Sequence, residues 1–485
     1  MRHLMLLLLH AVDAYIPWNL DEDYFTETTA GGDLAGSQDG PLLNSSLSMP
    51  DAVAIDSVQQ QLYVADRGNH RIRVVNLDLD TADAGYVTTV AGTTQGYLDG
   101  PATSARFNEP SGLAIDGHNH LLFISDAANN VVRQLDLASG QVSTLAGAYG
   151  VRGFQNGRGA SALFMKPAGL ALALNTRQLF VCDPFNNAVR TVNVVSKEVR
   201  TLAGTGTDGL ADGTGATASF HEPQSVAVNE DETAVYVVDL TPRVRRLVMA
   251  VEPAYPEPTS GAASDNGYSS AVSTVLNAAD VAGIEEIGGV SQAYEWPDGS
   301  LMLSDAKTDK VFRLNLLDDS EAAARRELAV NNGSTANDGR TLTACPHGAS
   351  TSADASCHPR LRLLAGSTPG MLDGMGVRTR FYRPRGVSID HTKQRVYVAD
   401  SYNHRVRAIL LTDVPDEVVE EKEEWYQWFA RALRQNLVFI LVLVGSTLGF
   451  CCCTYAICLQ CSFCPVYQRR FHEKTLRTMA IGSRA

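Results

Sequence analysis

The sequence predicts an all-β fold, a six-bladed β-propeller, followed by a C-terminal transmembrane α-helix. Three observations support this prediction: an apolar strand ending in aspartate recurs six times, a proline-led apolar run precedes most copies, and a long uncharged segment lies near the C-terminus. The propeller is expected over residues 24–411 and the helix over residues 437–461. The 40 glycines of this 485-residue chain suit the many tight turns of such an array.

The repeated strand is the main signal, because internal self-similarity indicates a repeat architecture. Its six copies end at Asp66, Asp126, Asp183, Asp239, Asp305 and Asp400. A proline-led run precedes five of them, beginning at Pro50, Pro110, Pro167, Pro223 and Pro384, and the fifth copy offers only residues 290–294. With the apolar runs that follow the aspartates, a unit contains four short strands, the content of one blade. Such a sheet cannot bury both faces alone, so the units must stack around an axis.

Closure of the ring is expected to involve the N-terminal residues. The sixth unit has three strands and then leaves toward the C-terminal segment, whereas Thr28 to Gly31 supplies a strand end of the missing kind. Residues of about 24–31 therefore complete the last blade, which removes two exposed sheet edges.

Two stretches depart from the repeat. Residues 252–289 contain several prolines and a Ser/Gly/Ala-rich part, which predicts an insertion or a long loop. Residues 318–360 form a second insertion that holds Cys345 and Cys357, and these two are natural disulfide partners in an oxidising compartment. Cys182 lies in mid-strand and is expected to be buried and free.

These repeats resemble the NHL repeat family. The resemblance is carried by Asp66-Arg67-Gly68-Asn69-His70-Arg71-Ile72 and by Asp400-Ser401-Tyr402-Asn403-His404-Arg405-Val406. An Ala-Gly strand end, an Asp-Gly loop and a Phe before the next proline also recur, as in Ala91-Gly92, Asp99-Gly100 and Phe107. The resemblance implies a propeller whose loop-bearing face contacts a partner.

The two ends of the chain predict a single-pass type I membrane protein of the plasma membrane or an endomembrane. Residues 1–14 resemble a secretory signal peptide, the alternative being a buried N-terminal strand. Leu437 to Cys461 is uncharged and long enough to span a bilayer, the alternative being a buried core helix. An acidic and aromatic juxtamembrane segment, 412–436, precedes the helix, and a short basic tail, 462–485, is expected in the cytoplasm.

Several modifications are predicted outside the repeat pattern. The sequons at Asn44 and Asn332 predict glycosylation. The membrane-proximal cysteines are candidates for S-acylation or are small apolar helix residues; they are Cys451, Cys452, Cys453, Cys458, Cys461 and Cys464. Gly445 and Gly449 have the spacing of helix dimers, which makes a homodimer a candidate assembly.

No catalytic residue, metal site or cofactor is predicted. An aspartate that precedes Asn by three residues and Arg by five can bond its own turn and a guanidinium, and its recurrence in every blade favours a structural role. His70 and His404 occupy equivalent positions of neighbouring blades but lack a third zinc ligand among Asn130, Asn187 and Asp309. The residues after the strand-leading prolines offer one carboxylate among five, which is a poor calcium cage; they are Asp51, Ser111, Ala168, Gln224 and Arg385.

The remaining candidate site is the face that bears the loops. It carries Arg67, Tyr97, Leu98, Tyr149, Phe154, Phe185, Leu210, Met371, Leu372 and Tyr402, which either pack under their own loops or contact a partner. The leading hypothesis is a receptor-like or adhesion-like platform that binds a protein, peptide or glycan. The alternative is a membrane-tethered extracellular metal-dependent hydrolase or lyase. Nucleic acid is excluded as the expected partner, because a net charge of −14 repels phosphate.

Overall fold

Six antiparallel sheets, one for each repeated aspartate, form the blades of a β-propeller. The computed structural model describes residues 24–32, 34–78, 85–241, 243–249, 271–277, 287–290, 300–315 and 361–411. Within these ranges five sheets have five strands and one has four. The predicted all-β, six-bladed fold is therefore confirmed.

The blades are numbered here by their aspartates in chain order, from blade 1 at Asp66 to blade 6 at Asp400. Blades 1 and 2, with the first strand of the chain, contain β1 (Phe25–Ala30), β2 (Gly40–Pro41), β3 (Pro50–Asp56), β4 (Gln61–Asp66), β5 (Arg71–Asn76), β6 (Tyr86–Ala91), β7 (Gly100–Pro101), β8 (Pro110–Asp116), β9 (Leu121–Asp126), β10 (Val131–Asp136) and β11 (Gln141–Ala146). Blades 3 and 4 contain β12 (Gly157–Arg158), β13 (Leu170–Ala173), β14 (Gln178–Asp183), β15 (Ala188–Asn193), β16 (Glu198–Ala203), β17 (Gly213–Thr214), β18 (Ser225–Val228), β19 (Ala234–Asp239), β20 (Arg243–Val248) and β21 (Ala271–Asn277). Blades 5 and 6 contain β22 (Ile287–Val290), β23 (Ser300–Asp305), β24 (Lys310–Asn315), β25 (Leu361–Ala365), β26 (Gly374–Met375), β27 (Pro384–Asp390), β28 (Arg395–Asp400) and β29 (Arg405–Leu410).

Short 3-10 helices connect some of these strands. They span Arg67–Asn69, Ala127–Asn129, Gly159–Ser161, Pro184–Asn186, Gly376–Arg378 and Ser401–Asn403. The strands of a blade are counted outward from the innermost strand, for example β8, β9, β10 and β11 in blade 2, with a two-residue strand such as β7 at the outer edge. Four of the 3-10 helices directly follow a repeated aspartate and join the second strand of a blade to the third. They therefore lie at the same end of their blades, which defines the loop-bearing face.

The N-terminal strand closes the ring. β1 pairs antiparallel with β29, with Phe25 opposite Leu410 and Thr26 opposite Ile409. β1 thus supplies the fourth strand of blade 6, whose other strands come from the last part of the repeat region. The prediction that residues near 24–31 complete the last blade is confirmed.

The predicted insertion at 252–289 was too broad. It contains β21, which pairs with β20 as the fourth strand of blade 4, and the first residues of β22, the inner strand of blade 5. The prolines and small residues that suggested a loop precede β21 and do not interrupt it.

The hydrophobic core lies between adjacent blades, which is why the second strands are buried on both faces. One cluster combines Tyr63 and Ile72 of blade 1 with Leu122 and Ile124 of blade 2. Phe107, from the loop that enters blade 2, is fully buried in the same cluster. Burial of one such ring stabilises the fold by roughly 1.5–3 kcal/mol.

The recurring Ala-Gly strand end has a steric cause. Gly92 has a φ of +98°, and a Cβ placed there would lie 2.8 Å from the carbonyl oxygen of His70. Gly147 and Gly204 have the same conformation and approach Asn130 and Asn187 in the same way. Glycine is therefore required where the fourth strand turns past the third.

Several predicted features lie outside the described residues. They are the signal peptide (1–14), the insertion 318–360 with Cys345, Cys357 and Asn332, the segment 412–436, the helix 437–461 with Gly445 and Gly449, the tail 462–485 and the six membrane-proximal cysteines. Among the residues that the structure describes, none of the helices has the length and hydropathy needed to cross a membrane. Cys182 is described, and it is buried and free as predicted.

Candidate functional site

Each repeated aspartate is buried at the end of the second strand of its blade. In blade 2, Asp126 Oδ1 accepts the backbone N–H of Asn108 at 2.7 Å, while Oδ2 accepts Asn129 Nδ2 and Arg133 Nη1, each at 2.8 Å. The same three contacts recur at Asp66, Asp183 and Asp400. The bond to Asn three residues on was expected. The expected arginine five residues on was wrong, because the partner in these blades lies seven residues on.

Among the described residues, this error concealed a set of fully buried arginines: Arg73, Arg133, Arg190, Arg245 and Arg407. Besides Asp126, Arg133 donates to the carbonyl oxygens of Leu98 (2.9 Å) and Arg106 (3.1 Å), and it pairs with Asp99. Its guanidinium also lies 5.1 Å from the ring centroid of Phe107. Arg133 thus ties the loop that enters blade 2 to the strand ends of that blade.

Burial dominates the electrostatics of these carboxyl groups. It raises the pKa of Asp126 to about 6, although the bonds from Asn129 and Arg133 lower it. Burial likewise raises the pKa of Asp400 to about 6 against the lowering effect of Arg407. Because both oxygens of Asp126 accept hydrogen bonds from within the blade, the geometry is that of a structural anchor.

His70 and His404 lie at junctions between blades. His70 Nδ1 accepts the backbone N–H of Glu109 in the next blade, and His404 Nδ1 accepts that of Met49, both at 3.1 Å. Asn130, at the same position of blade 2, accepts the N–H of Lys166 through Oδ1 at 3.0 Å. We call these contacts junction latches, and Asn187 and Asp309 form two more. Each histidine therefore already uses one ring nitrogen to join blades.

The central axis holds a narrow channel with a cavity of about 100 Å³. The inner strands β3, β8, β13, β18 and β27 contribute mostly small and aliphatic side chains to its wall. Of the residues that follow the leading prolines, Asp51 and Arg385 meet at the channel, with Arg385 Nη1 3.2 Å from Asp51 Oδ1. Arg67 lies 3.8 Å from the other oxygen of Asp51 and 2.8 Å from Glu109 Oε2. One arc of the channel mouth therefore carries a chain of charges that the other described blades do not repeat.

The candidate face residues divide into separate groups. The rings of Tyr97 and Tyr149 stack beside blade 2 with their centroids 4.1 Å apart. The hydroxyl groups of Tyr97 and Thr144 form a hydrogen bond of 2.7 Å. The guanidinium of Arg190 lies 4.9 Å from the centroid of the Phe154 ring, and Lys166 Nζ lies 5.6 Å from the centroid of the Phe185 ring. Both phenylalanines keep more than two fifths of their surface exposed. These four residues lie over blades 2 and 3.

The second group lies over blade 6. Tyr402 contacts Tyr382 with ring centroids 5.2 Å apart, and the guanidinium of Arg383 lies 5.0 Å from the Tyr402 ring. Met371 is exposed on the loop that enters the same blade. Sequence reasoning missed Tyr382 and Arg383. The available signal was the run Arg378-Thr379-Arg380-Phe381-Tyr382-Arg383-Pro384-Arg385, which is rich in arginine for so acidic a chain.

Within the described ranges, no three His, Cys, Asp or Glu side chains are grouped as metal ligands. Asn44 lies exposed in the turn after β2, whereas Ser45 of the same sequon is buried.

Comparison with known proteins supports the repeat assignment. The NHL repeat family matches residues 47–75 and 381–409, which cover the Asp66 and Asp400 copies. A stretch of 216 residues is 32% identical to Protein SUPPRESSOR OF QUENCHING 1, chloroplastic, of Arabidopsis thaliana and covers 42% of this chain and 19% of that protein. A stretch of 367 residues is 23% identical to NHL repeat-containing protein 2 of Homo sapiens and covers 75% of this chain and 39% of that protein. The chain thus spans less than half of the length of either relative.

A solved structure supports the fold alone. A Bacteroides thetaiotaomicron protein of unknown function superposes with a TM-score of 0.51 at 14% identity, over 80% of this chain and 76% of that one.

Proposed function

We propose that this chain, an NHL repeat β-propeller protein, is a membrane-anchored extracytoplasmic binding platform whose loop-bearing face contacts a protein, peptide or glycan. The observation that carries the proposal is the exposure of aromatic side chains on that face: 56% for Tyr149, 47% for Phe185 and 40% for Tyr402. Large apolar groups at loop tips gain free energy when a partner removes them from water. The buried arginines hold the loops that present them, so the face is organised before contact.

The membrane part of the proposal rests on the sequence. Leu437 to Cys461 is uncharged, and Trp425 and Trp428 precede it at the position of an interfacial belt. The signal-like N-terminus favours the type I orientation, with the propeller outside the cytosol and the basic tail inside.

Photocrosslinking of the full chain on intact cells tests the face. A photoreactive phenylalanine analogue replaces Tyr149, Phe185 or Tyr402 in turn. Matched controls carry it at Val58 and Val195, which are 83% and 72% exposed in turns at the opposite ends of the strands. We expect one partner to be captured from the loop-bearing face and from neither control. Equal capture from both faces, or none from either, contradicts the proposal.

Glycosidase treatment tests the compartment. The acceptor Asn44 of the sequon Asn44-Ser45-Ser46 is exposed, so an extracytoplasmic propeller is expected to carry a glycan there. Asn44→Gln and Ser46→Ala both destroy the sequon and should remove one step of the gel shift, whereas Ser46→Thr preserves it. A chain whose mobility no glycosidase changes argues against this location.

Metal analysis of the purified full chain separates binding from the hydrolase or lyase alternative. Stoichiometric zinc or calcium whose removal abolishes a catalytic activity would overturn a function in binding alone.

A further inference from the structure

A cluster of arginine and tyrosine side chains lies where blades 6 and 1 meet on the loop-bearing face. We call it the 6–1 patch, and it consists of Arg67, Arg380, Tyr382, Arg383, Arg385 and Tyr402. Arg383 lies over the Tyr402 ring, and Tyr402 contacts Tyr382. Ser401, which precedes Tyr402, donates through Oγ to the carbonyl oxygen of Pro50, next to Asp51. Asp51 joins Arg67 to Arg385. Ring closure therefore brings together residues separated by more than 300 positions in the sequence.

The patch is basic in a chain of net charge −14. The loop and strand start at 366–385 carry four arginines and one acidic residue, Asp373. Asp373 is already paired with the buried Arg407 at 2.6 Å, so it does not offset the exposed arginines fully. The equivalent stretch before blade 4, 204–224, has Asp208, Asp212 and Glu222 and no lysine or arginine. The stretch before blade 3, 147–168, carries Arg152, Arg158 and Lys166 and no acidic residue, so positive charge on this face is concentrated on the loops that enter blades 3 and 6.

The side chains of the patch are accessible. Arg380 and Arg383 are exposed, and Tyr382 and Tyr402 keep 41% and 40% of their surface in solvent. Arg67 and Arg385 are about one third exposed, at 34% and 31% of their side chains. A partner can therefore reach both the charges and the rings.

We infer that the 6–1 patch binds an acidic segment of a polypeptide partner, whose carboxylates pair with Arg380 and Arg383 and whose apolar residues pack on Tyr382 and Tyr402. The inference rests on the proposed function, because it assigns a partner chemistry to part of the same face. Guanidinium groups present paired N–H donors that match carboxylate geometry. Asp51 already occupies this kind of site, since its two oxygens face Arg385 and Arg67 separately.

Two observations favour a polypeptide over other polyanions. The acidic remainder of the chain repels a nucleic acid, whose closely spaced phosphates extend beyond the patch, more strongly than a short segment with few carboxylates. One face of the Tyr402 ring is covered by the Arg383 guanidinium, and the neighbouring Tyr382 ring is tilted by 55°, so the pair offers no flat platform for a row of sugar rings. Side chains of irregular shape fit tilted rings.

Fluorescence anisotropy with a labelled peptide of glutamate and tyrosine tests the inference on the full chain. We expect binding that weakens as the salt concentration rises. We also expect Arg383→Glu and Arg380→Glu each to reduce the affinity about tenfold or more, because each charge reversal replaces an attraction by a repulsion. Arg246→Glu is the matched control, since Arg246 is exposed on β20 of blade 4 and makes the same change in net charge. Circular dichroism verifies that the variants fold.

Three results would overturn the inference: equal loss in the Arg246→Glu control, equal binding of the matched glutamine and tyrosine peptide, or binding of a heparin oligosaccharide but not of the acidic peptide. The proposed function fails separately. If photocrosslinks from Tyr149 and Phe185 persist while the acidic peptide does not bind, the platform stands and its assigned partner chemistry is wrong. If the loop-bearing face captures nothing, the platform itself is wrong.

Discussion

Blades 2 and 5 end their second strands with the same buried aspartate but surround it differently. In blade 2 the carboxylate of Asp126 reaches a distant backbone N–H and the guanidinium of Arg133. In blade 5, Asp305 accepts the N–H groups of Lys307 and Thr308 and the hydroxyl of Thr308 at 2.6 Å. The buried side chain of Phe312 occupies the position that Arg133 has in blade 2.

The difference separates two roles that the repeat combines. Local donors close the turn after the second strand, and Thr308 supplies one in place of Asn129. Holding the incoming loop needs an arginine, because only a long, forked donor spans Asp126 and the carbonyl of Leu98 together. The arginine network thus ties the loops that enter blades 1–4 and 6 to the strand ends of those blades.

Removal of the buried arginine should produce the largest effect. Arg133→Met leaves Asp126 buried without its cation, and we expect a loss of about 3–5 kcal/mol in the free energy of unfolding. Phe312→Met is the matched change in blade 5 and should cost under about 1.5 kcal/mol, because volume and polarity change little. Urea denaturation followed by circular dichroism measures both. Equal losses in the two blades would contradict the separation of roles.

Neutralising the aspartate should also reduce the free energy of unfolding more in blade 2 than in blade 5, but by a smaller difference. Asp126→Asn exchanges charge-assisted bonds to Arg133 for weaker ones and should cost about 3 kcal/mol, whereas Asp305→Asn should cost about 1 kcal/mol. Hydrogen exchange should also accelerate in the loop around Leu98 and Arg106 in the first variant, since Arg133 holds that loop. If the Leu98 loop stays protected, the arginine anchors it without help from Asp126.

The sequence predicted the repeat well but not the contacts within it. The missing fourth strand of the last unit was enough to place β1, because an open sheet edge must be covered. The buried arginines were misplaced because Arg71 and Arg73, two residues apart, lie on the same side of β5. Arg73 reaches Asp66, whereas Arg71 bonds the carbonyl oxygen of Thr93, and the pattern of residue types does not distinguish the two. β21 was hidden by its Pro- and Ser-rich neighbours.

The 6–1 patch could not be predicted, for a different reason. Arg67 and Arg385 belong to opposite ends of the repeat region, and Asp51 bridges them only because blade 6 closes against blade 1. Local patterns predict strands and turns, whereas a site assembled across the ring depends on the number of blades.

The junction latches also differ between blades, because some are formed by histidine and others by asparagine or aspartate. His70 and His404 accept a backbone N–H through Nδ1, as Asn130 does through Oδ1, but only the histidines can lose the acceptor by protonation. Burial lowers the pKa of both histidines below the ordinary value of 6.5. Their contribution to stability is therefore present above that value and is lost as the pH falls through the lowered pKa.

The double variant His70→Asn, His404→Asn should keep the latches and lose this acid sensitivity. We expect the melting temperature of the natural chain to fall further than that of the variant between about pH 7 and about pH 5, because protonated Nδ1 faces another donor. Asn130→His should add sensitivity at a third junction, while His118→Asn, at an exposed histidine of a turn, should change nothing. If the melting temperatures of the natural chain and the double variant change equally with pH, the latches do not sense protons. The main source of any pH dependence would then be the buried aspartates, whose raised pKa favours stability at low pH.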